Sequence, residues 1–325
     1  MARRGPRPSM TRIGRHEDGL RKFQRSIGTN IVKEVIARPP NMESFAFFVH
    51  EKDDIRISRR ITRTGVWEPF ESIMMLGLLE VSDQFIDIGA NIGWYTIAAA
   101  RRVGQMGHVI AIEPDAVNFA LLEANIARDR SVSVTAVRCA LGSAPGRATI
   151  NSSSDNKGDH RVRHFTPLGH GTGEGADSIA VESLDDLIER IPQFDLARLR
   201  IIKIDVQGFE ADVLSGARRL LSRLPERTLL FVEFDPLLLR DNHPASCEEM
   251  ITLMGSINRE IFKICRPLWR LRRLGAGDLE RLALTGGMSD LIVAHESQIH
   301  CLREVLPLIP RILSGRELAP SVAPR

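Results

Sequence analysis

From about residue 83 to residue 234 the chain alternates two apolar patterns, and few folds tolerate that alternation. Residues 85–88, 108–112, 132–138, 200–204 and 228–234 form short, nearly continuous apolar runs. Between them, residues 94–103, 115–128, 183–190 and 211–223 place apolar side chains at helical spacing. A strand that is apolar at every position is one covered on both faces, so the pattern predicts βαβ units and a parallel sheet flanked by helices. A further helix over 246–258 and two closing strands, 261–265 and 290–295, complete the series. Upstream, residues 45–50 and 54–61 read as a hairpin turning at 52–54. Glu68-Pro69 opens a helix over 70–79, with proline at a tolerated first-turn position.

Charge is distributed unevenly. The net charge is +3, yet residues 1–25 hold eight Lys/Arg against Glu17 and Asp18, so the remaining 300 residues sum to −3. A slightly acidic body argues against nucleic-acid binding by the folded part. The basic segment ends in Arg38-Pro39-Pro40, reads as a flexible tail, and is suited at most to weak contact with an anionic surface. No run approaches the ~18 consecutive apolar residues of a membrane-spanning helix. Cys139, Cys247, Cys265 and Cys301 form no CxxC pair. That spacing speaks against a zinc finger, a redox dithiol or a disulfide framework, and suits reduced thiols in a cytoplasmic protein.

The sharpest motif is Asp87-Ile88-Gly89-Ala90-Asn91-Ile92-Gly93, set between a strand and a helix. Gly89 lets the chain turn sharply, and Gly93 lets helix and strand pack closely. Glu113 closes the next strand, 20 residues after Gly93. An acid there accepts hydrogen bonds from ribose hydroxyls. Together they predict a nucleoside-bearing cofactor, either a nicotinamide dinucleotide or S-adenosylmethionine. The Gly-x-x-x-Gly spacing is not that of a pyrophosphate-binding turn. A carboxylate at Asp87 suits an ammonium or sulfonium better than a phosphate.

The segments Phe85-Ile86-Asp87-Ile88-Gly89-Ala90-Asn91-Ile92-Gly93-Trp94-Tyr95-Thr96, Ile110-Ala111-Ile112-Glu113-Pro114 and Ala140-Leu141-Gly142 resemble the FkbM-type methyltransferase family. So, more specifically, does Ile202-Lys203-Ile204-Asp205-Val206-Gln207-Gly208-Phe209-Glu210-Ala211 and its continuation to Ala217. Gln207 departs from the glutamate usual in that family. The resemblance implies a class I (Rossmann-like) sheet of seven strands, mostly parallel with the last strand antiparallel. The implied organisation is a tail over 1–40, a hairpin and lead-in helix over 41–80, a methyltransferase domain over 81–298, and a C-terminal helix and tail over 299–325.

The activity implied is S-adenosylmethionine-dependent methyl transfer to a hydroxyl of a sugar, glycolipid, polysaccharide or secondary metabolite. Alternatives are a nicotinamide-dependent oxidoreductase and a non-catalytic binding protein on the same fold. The resemblance assigns Asp87, Gly89, Ala90, Asn91 and Gly93 to the methionine end of the cofactor, with Tyr95, Thr96 and Glu68 nearby. Glu113, Pro114 and Asn118, beside Asp115, fall at the ribose, and Cys139 and Ala140 at the adenine. Asp205 is assigned both to the cofactor and, with Glu210 and His160, to catalysis. A divalent metal is not favoured, the more so with Gln207 in place of an acid.

Residues 151–176 form a polar gap rich in Ser, Asn, Gly and His, including His160, His164 and His170. Connections this long are usually functional or disordered, and this one is expected to act as a lid over the acceptor site.

Overall fold

The computed structural model describes residues 10–11, 32–151 apart from 53, 55 and 130, residues 161–167 and 178–265, and residues 270–307 apart from 286. The apolar runs become β1 (Gln84–Ile88), β2 (His108–Ile112), β3 (Val134–Val137), β4 (Leu199–Ile204), β5 (Leu229–Phe234), β6 (Glu260–Cys265) and β7 (Ser289–Ala294). In space they run β3–β2–β1–β4–β5–β7–β6. β1 to β5 pair in parallel, and β7 runs antiparallel to both β5 and β6. Every residue of β1, β2 and β4 is buried, as parallel strands covered on both faces must be.

Among the described residues, nine strands rather than seven make up this sheet. Met10–Thr11 adds to β3, and Arg270–Leu274 adds to β6, each antiparallel. Each extra strand satisfies the exposed backbone groups of an edge.

Alternation along the strands sorts side chains onto two cores. Phe85 and Phe231 face helices Pro69–Leu78, Trp94–Val103 and Ala116–Arg128. Ile86, Ile88 and Ile204 face helices Leu184–Ile188, Glu210–Ser215 and Ser246–Ser256.

Three expectations are corrected. Phe45–His50 does pair in a hairpin, but with Val32–Ala37, inside the segment read as tail. Residues 54–61 do not form its second strand; Ile57–Thr64 is a helix, started where the Asp54 carboxylate accepts the Ile57 and Ser58 N–H groups. The single helix read over 211–223 is two, Glu210–Ser215 and Arg218–Leu221. At the break, a Cβ on Gly216 would lie 2.0 Å from the Gly142 carbonyl oxygen, so only glycine lets the backbones meet.

The polar gap is in part a strand. Arg161–Pro167 pairs with Gly146–Asn151, which pairs with Ser178–Glu182, building a second sheet of four strands with Ala140–Leu141. A register shift between Arg147 and Thr149 sets an extra residue opposite them. The bulge brings Val162 and Phe165, three apart, onto one side against Phe209. Residues 152–160 and 168–176 of the expected lid lie outside the described residues.

Candidate functional site

The turn after β1 is stitched to both neighbouring strands. Gly89 and Ala90 N–H groups donate to the Ile112 carbonyl at 3.0 Å, and Asp205 N–H donates to the Ile88 carbonyl at 3.1 Å. Gly89 adopts φ +79°, and a Cβ there would sit 1.9 Å from the Asp205 carbonyl oxygen. Glycine is needed here so that two strand ends can touch. Gly93, at φ +93°, heads the helix Trp94–Val103 and is hemmed in by Leu122 at 2.6 Å from its Cβ position.

An open cleft of about 630 Å³ lies over these strand ends. Gly89, Asn91, Glu113, Pro114 and Asn118 line one part of it. Cys139, Ala140, Asp205 and Gln207 line another. Glu113 is held by two backbone donors, Asn91 N–H at 2.8 Å on one oxygen and Asp115 N–H at 2.9 Å on the other. Burial, and then the neighbouring Asp115, push its carboxyl up to about 8. Asp115 itself caps the helix Ala116–Arg128 through the Val117 and Asn118 N–H groups. Asn118 Oδ1 lies 3.0 Å from His50 Nε2, which ties the N-terminal hairpin to the cleft. Cys139 is buried, and its thiol is pushed up to about 12 by desolvation.

A second cavity, open to solvent like the first and enclosing about 530 Å³ counted out to its mouth, shares a wall with it at Asp205. Its polar lining is Glu68, Tyr95, Lys203, Asp205, Glu233 and Asp290. Lys203 Nζ lies 3.1 Å from Asp205 Oδ2 and 4.0 Å from Asp87 Oδ1, and sits 5.2 Å from the centre of the Tyr95 ring. Burial disfavours the Lys203 charge, but Asp205, Asp87 and Glu68 outweigh it and hold the ammonium protonated. For Asp205 likewise, desolvation is outweighed by Lys203 and by the Gln207 amide, and the carboxyl is held low. Gln207 Nε2 donates to Asp205 Oδ1 at 2.8 Å and to Glu233 Oε2 at 2.7 Å. Burial, then Asp205, pushes Glu233 well above the usual carboxylate range. Glu68 is pushed up to about 8, first by burial and then by Asp205, and accepts the Tyr95 hydroxyl at 2.8 Å.

Several expected site residues stand elsewhere. Asp87 is fully buried and lines neither opening; its Oδ2 accepts Thr96 Oγ1 at 2.6 Å, which also commits Thr96. Ala90 and Gly93 likewise shape the turn without lining either opening. Glu210, expected in catalysis, is corrected to a structural part. Its carboxylate accepts Val206 N–H at 3.0 Å and Gly208 N–H at 3.0 Å, clamping the turn that carries Gln207 at φ +54°. His160 and His170 lie outside the described residues.

Ile57, Val162, Val206 and Phe209 line the first cleft and were not singled out from the sequence. All are ordinary apolar residues, and no local pattern separates a pocket wall from a core. Val162 also places the expected lid strand at the first cleft, beside Cys139 and Ala140. Asp290 could have been found as an acid at the end of a closing strand.

The residues at the first cleft fit an adenosyl cofactor. Glu113 offers ribose an acceptor on a buried strand end, and apolar side chains flank the Cys139–Leu141 backbone. Asp87 Oδ1 is buried with no hydrogen-bond donor and faces the Lys203 ammonium at 4.0 Å. Among the described residues, no group of three or more His, Cys, Asp or Glu side chains is arranged for a metal, and no helix is long and apolar enough to cross a membrane.

The family model of the methyltransferase FkbM domain matches residues 87–261. Methyltransferase 1 of Beauveria bassiana is 28% identical over 148 residues, covering 41% of this chain and 58% of that protein. The hexuronic acid methyltransferase AglP of Haloferax volcanii is 28% identical over 144 residues, covering 44% of this chain and 53% of that protein. The chain thus spans between half and three-fifths of the length of these curated relatives. Among solved structures, an O-methyltransferase from Bacillus cereus in complex with SAH superposes with a TM-score of 0.38 at 14% identity, covering 70% of this chain and 82% of that one.

Proposed function

This chain belongs to the FkbM methyltransferase family, and from that premise we propose that it transfers a methyl group from S-adenosylmethionine to a hydroxyl oxygen of a sugar-like or secondary-metabolite acceptor. The observation that carries the proposal is Asp205, the one carboxylate common to the walls of the Glu113 cleft and the acid-lined cavity. A group held between the two openings meets Asp205 from both sides.

In this reading Glu113 accepts the ribose hydroxyls, and the backbone at Cys139 and Ala140 receives the adenine edge. The bound cofactor supplies a methyl already activated on a sulfonium. The chain's own task is to hold an acceptor oxygen about 3 Å from that carbon and in line with it, an arrangement that can contribute several powers of ten in rate. Asp205 takes the hydroxyl proton: Lys203 and Gln207 keep it ionised, while its neighbour Glu233 retains its proton. Glu68, Tyr95 and Glu233 offer hydrogen bonds to the other hydroxyls of the acceptor.

The test is calorimetric titration with S-adenosylhomocysteine and with NAD, followed by a screen of hydroxylated acceptors with labelled S-adenosylmethionine. The expected result is micromolar binding of S-adenosylhomocysteine, no NAD binding, and label on oxygen. Tight NAD binding with no affinity for S-adenosylhomocysteine would overturn the proposal.

A further inference from the structure

We propose that the N-terminal hairpin is a working part of the cofactor site, and that Asn125 is the positioning residue that couples its docking to the glycine turn. The proposal rests on the first cleft being the cofactor site, and it adds to that site a segment outside the matched domain of residues 87–261.

Asn125 stands inside the helix Ala116–Arg128 and is 2% exposed, a costly place for an amide unless its polar atoms are paired. Its Oδ1 accepts Phe48 N–H at 2.7 Å, and its Nδ2 donates to the Phe48 carbonyl at 3.0 Å and to the Ile92 carbonyl at 2.8 Å. A backbone N–H only donates and a carbonyl only accepts, so the amide fits one way round. Toward Phe48 it acts as a neighbouring strand would, meeting the N–H and C=O of one residue of a two-stranded hairpin. Toward Ile92 it pins the turn that follows β1.

Ile92 is next to Asn91, which lines the first cleft and holds φ +50°. Asn91 Oδ1 accepts the Ile92 N–H at 2.8 Å, and the Asn91 N–H donates at 2.8 Å to Glu113, the acid read as the ribose acceptor. A continuous series of bonded groups thus runs from Phe48 through Asn125, Ile92 and Asn91 to Glu113. Packing takes the same direction: the Phe47 ring meets edge-on, at 6.1 Å, the ring of Trp94, the first residue of the helix after the turn. Asn118, two turns before Asn125 on the same helix face, meets His50 of the same strand and lines the cleft itself. Asn125 lines neither opening, so its effect on a ligand passes through the turn. Without its amide, hairpin and turn relax separately. With it, a ligand held at Asn91 and Glu113 favours the docked hairpin, and the docked hairpin favours the ligand by the same factor.

The test uses the full chain. S-adenosylhomocysteine is titrated first, and failure to bind would refute the cofactor reading and this proposal with it. Hydrogen exchange is then followed with and without the ligand. It is expected to slow about tenfold over residues 45–50 and 89–93, and no more than about twofold over 260–265 on the far side of the sheet. Slowing at 45–50 no greater than at 260–265 would overturn the proposal in the parent protein itself. Asn125→Leu removes the three bonds at similar volume. It should weaken S-adenosylhomocysteine binding about tenfold and bring the slowing at 45–50 down to that at 260–265. Leu121→Ala controls for lost stability, being buried in the same helix and lining neither opening. It should lower the melting temperature and keep the parent's affinity and exchange pattern. Unchanged affinity in Asn125→Leu, or an equal loss in Leu121→Ala, would reduce Asn125 to a structural part and overturn the proposal.

Discussion

Gly89→Ala isolates the contact on which both openings depend. The added methyl would lie 1.9 Å from the Asp205 carbonyl oxygen, where real Cβ atoms keep at least 3.0 Å. The atom in the way is backbone, so no side chain can swing aside. The β1 turn or the β4 end must move by roughly 1 Å, in a region tied by the Asp205 N–H bond to Ile88 at 3.1 Å. Alanine at φ +79° adds about 1–2 kcal/mol of conformational strain. Forcing the backbones apart adds about 1–3 kcal/mol more. At about 2–4 °C per kcal/mol for a chain of this size class, the melting temperature should fall by about 4–20 °C. Asp205 shifts with the strand end, and a displacement near 1 Å is expected to cost about a hundredfold in methyl-transfer rate and to weaken S-adenosylhomocysteine binding. Gly104→Ala is the control. Gly104 also has positive φ, at +69°, but no atom lies within 4 Å of its Cβ position. It should show the conformational cost of about 1–3 kcal/mol and bind the ligand as the parent does. Thermal melts and calorimetry on the three proteins decide the matter. If Gly89→Ala binds like the parent and melts with Gly104→Ala, the close approach of β1 and β4 does not govern the site.

Glu113→Gln should weaken S-adenosylhomocysteine binding by about 1.5–3 kcal/mol, since an amide turns a donor toward one of the two backbone N–H groups; unchanged affinity by calorimetry would move the ribose elsewhere. Glu210 is pushed up to about 7, chiefly by burial, so its stabilising contribution is complete below about 4.5 and declines as pH rises toward 7. Melts of Glu210→Gln should therefore gain on the parent between pH 4.5 and 7 and run parallel above; a constant offset would refute the buried-carboxyl account. Val162→Ala should lower S-adenosylhomocysteine affinity about threefold with about 1 kcal/mol of lost stability, because Val162 lines the first cleft, the one proposed to hold the cofactor, and not the second; loss of turnover with an unaltered dissociation constant would restore the strand to the acceptor side.

The candidate site was legible where chemistry sits at strand ends. Gly89, Asn91, Glu113 and Asp205 follow buried strands directly, and strand order brings them together. Asp87 and Glu210 were read as polar residues free for ligand, yet both are enclosed and consumed by Thr96, Lys203 and the Val206–Gly208 turn. Residue type announces a carboxylate but not whether its oxygens are already taken. Gln207 shows the converse. In sequence it is a lost charge; in the fold its amide joins Asp205 to Glu233.

What the amino-acid order determined by itself is periodic and local: five buried parallel strands, the helices between them, the glycine turn and the acid one strand later. Those follow from apolar spacing and backbone freedom, which act over a few residues. What only tertiary structure decided is which polar groups face open space and which face each other. Val32–Ala37, not residues 54–61, pairs with Phe45–His50, and Val162 reaches the Glu113 cleft through a bulge. Glu68, Asp205, Glu233 and Asp290, spread over more than 200 residues, converge on one cavity beside the Lys203 ammonium. Charge and burial act through space, and the distances that set them exist only after the sheet has closed.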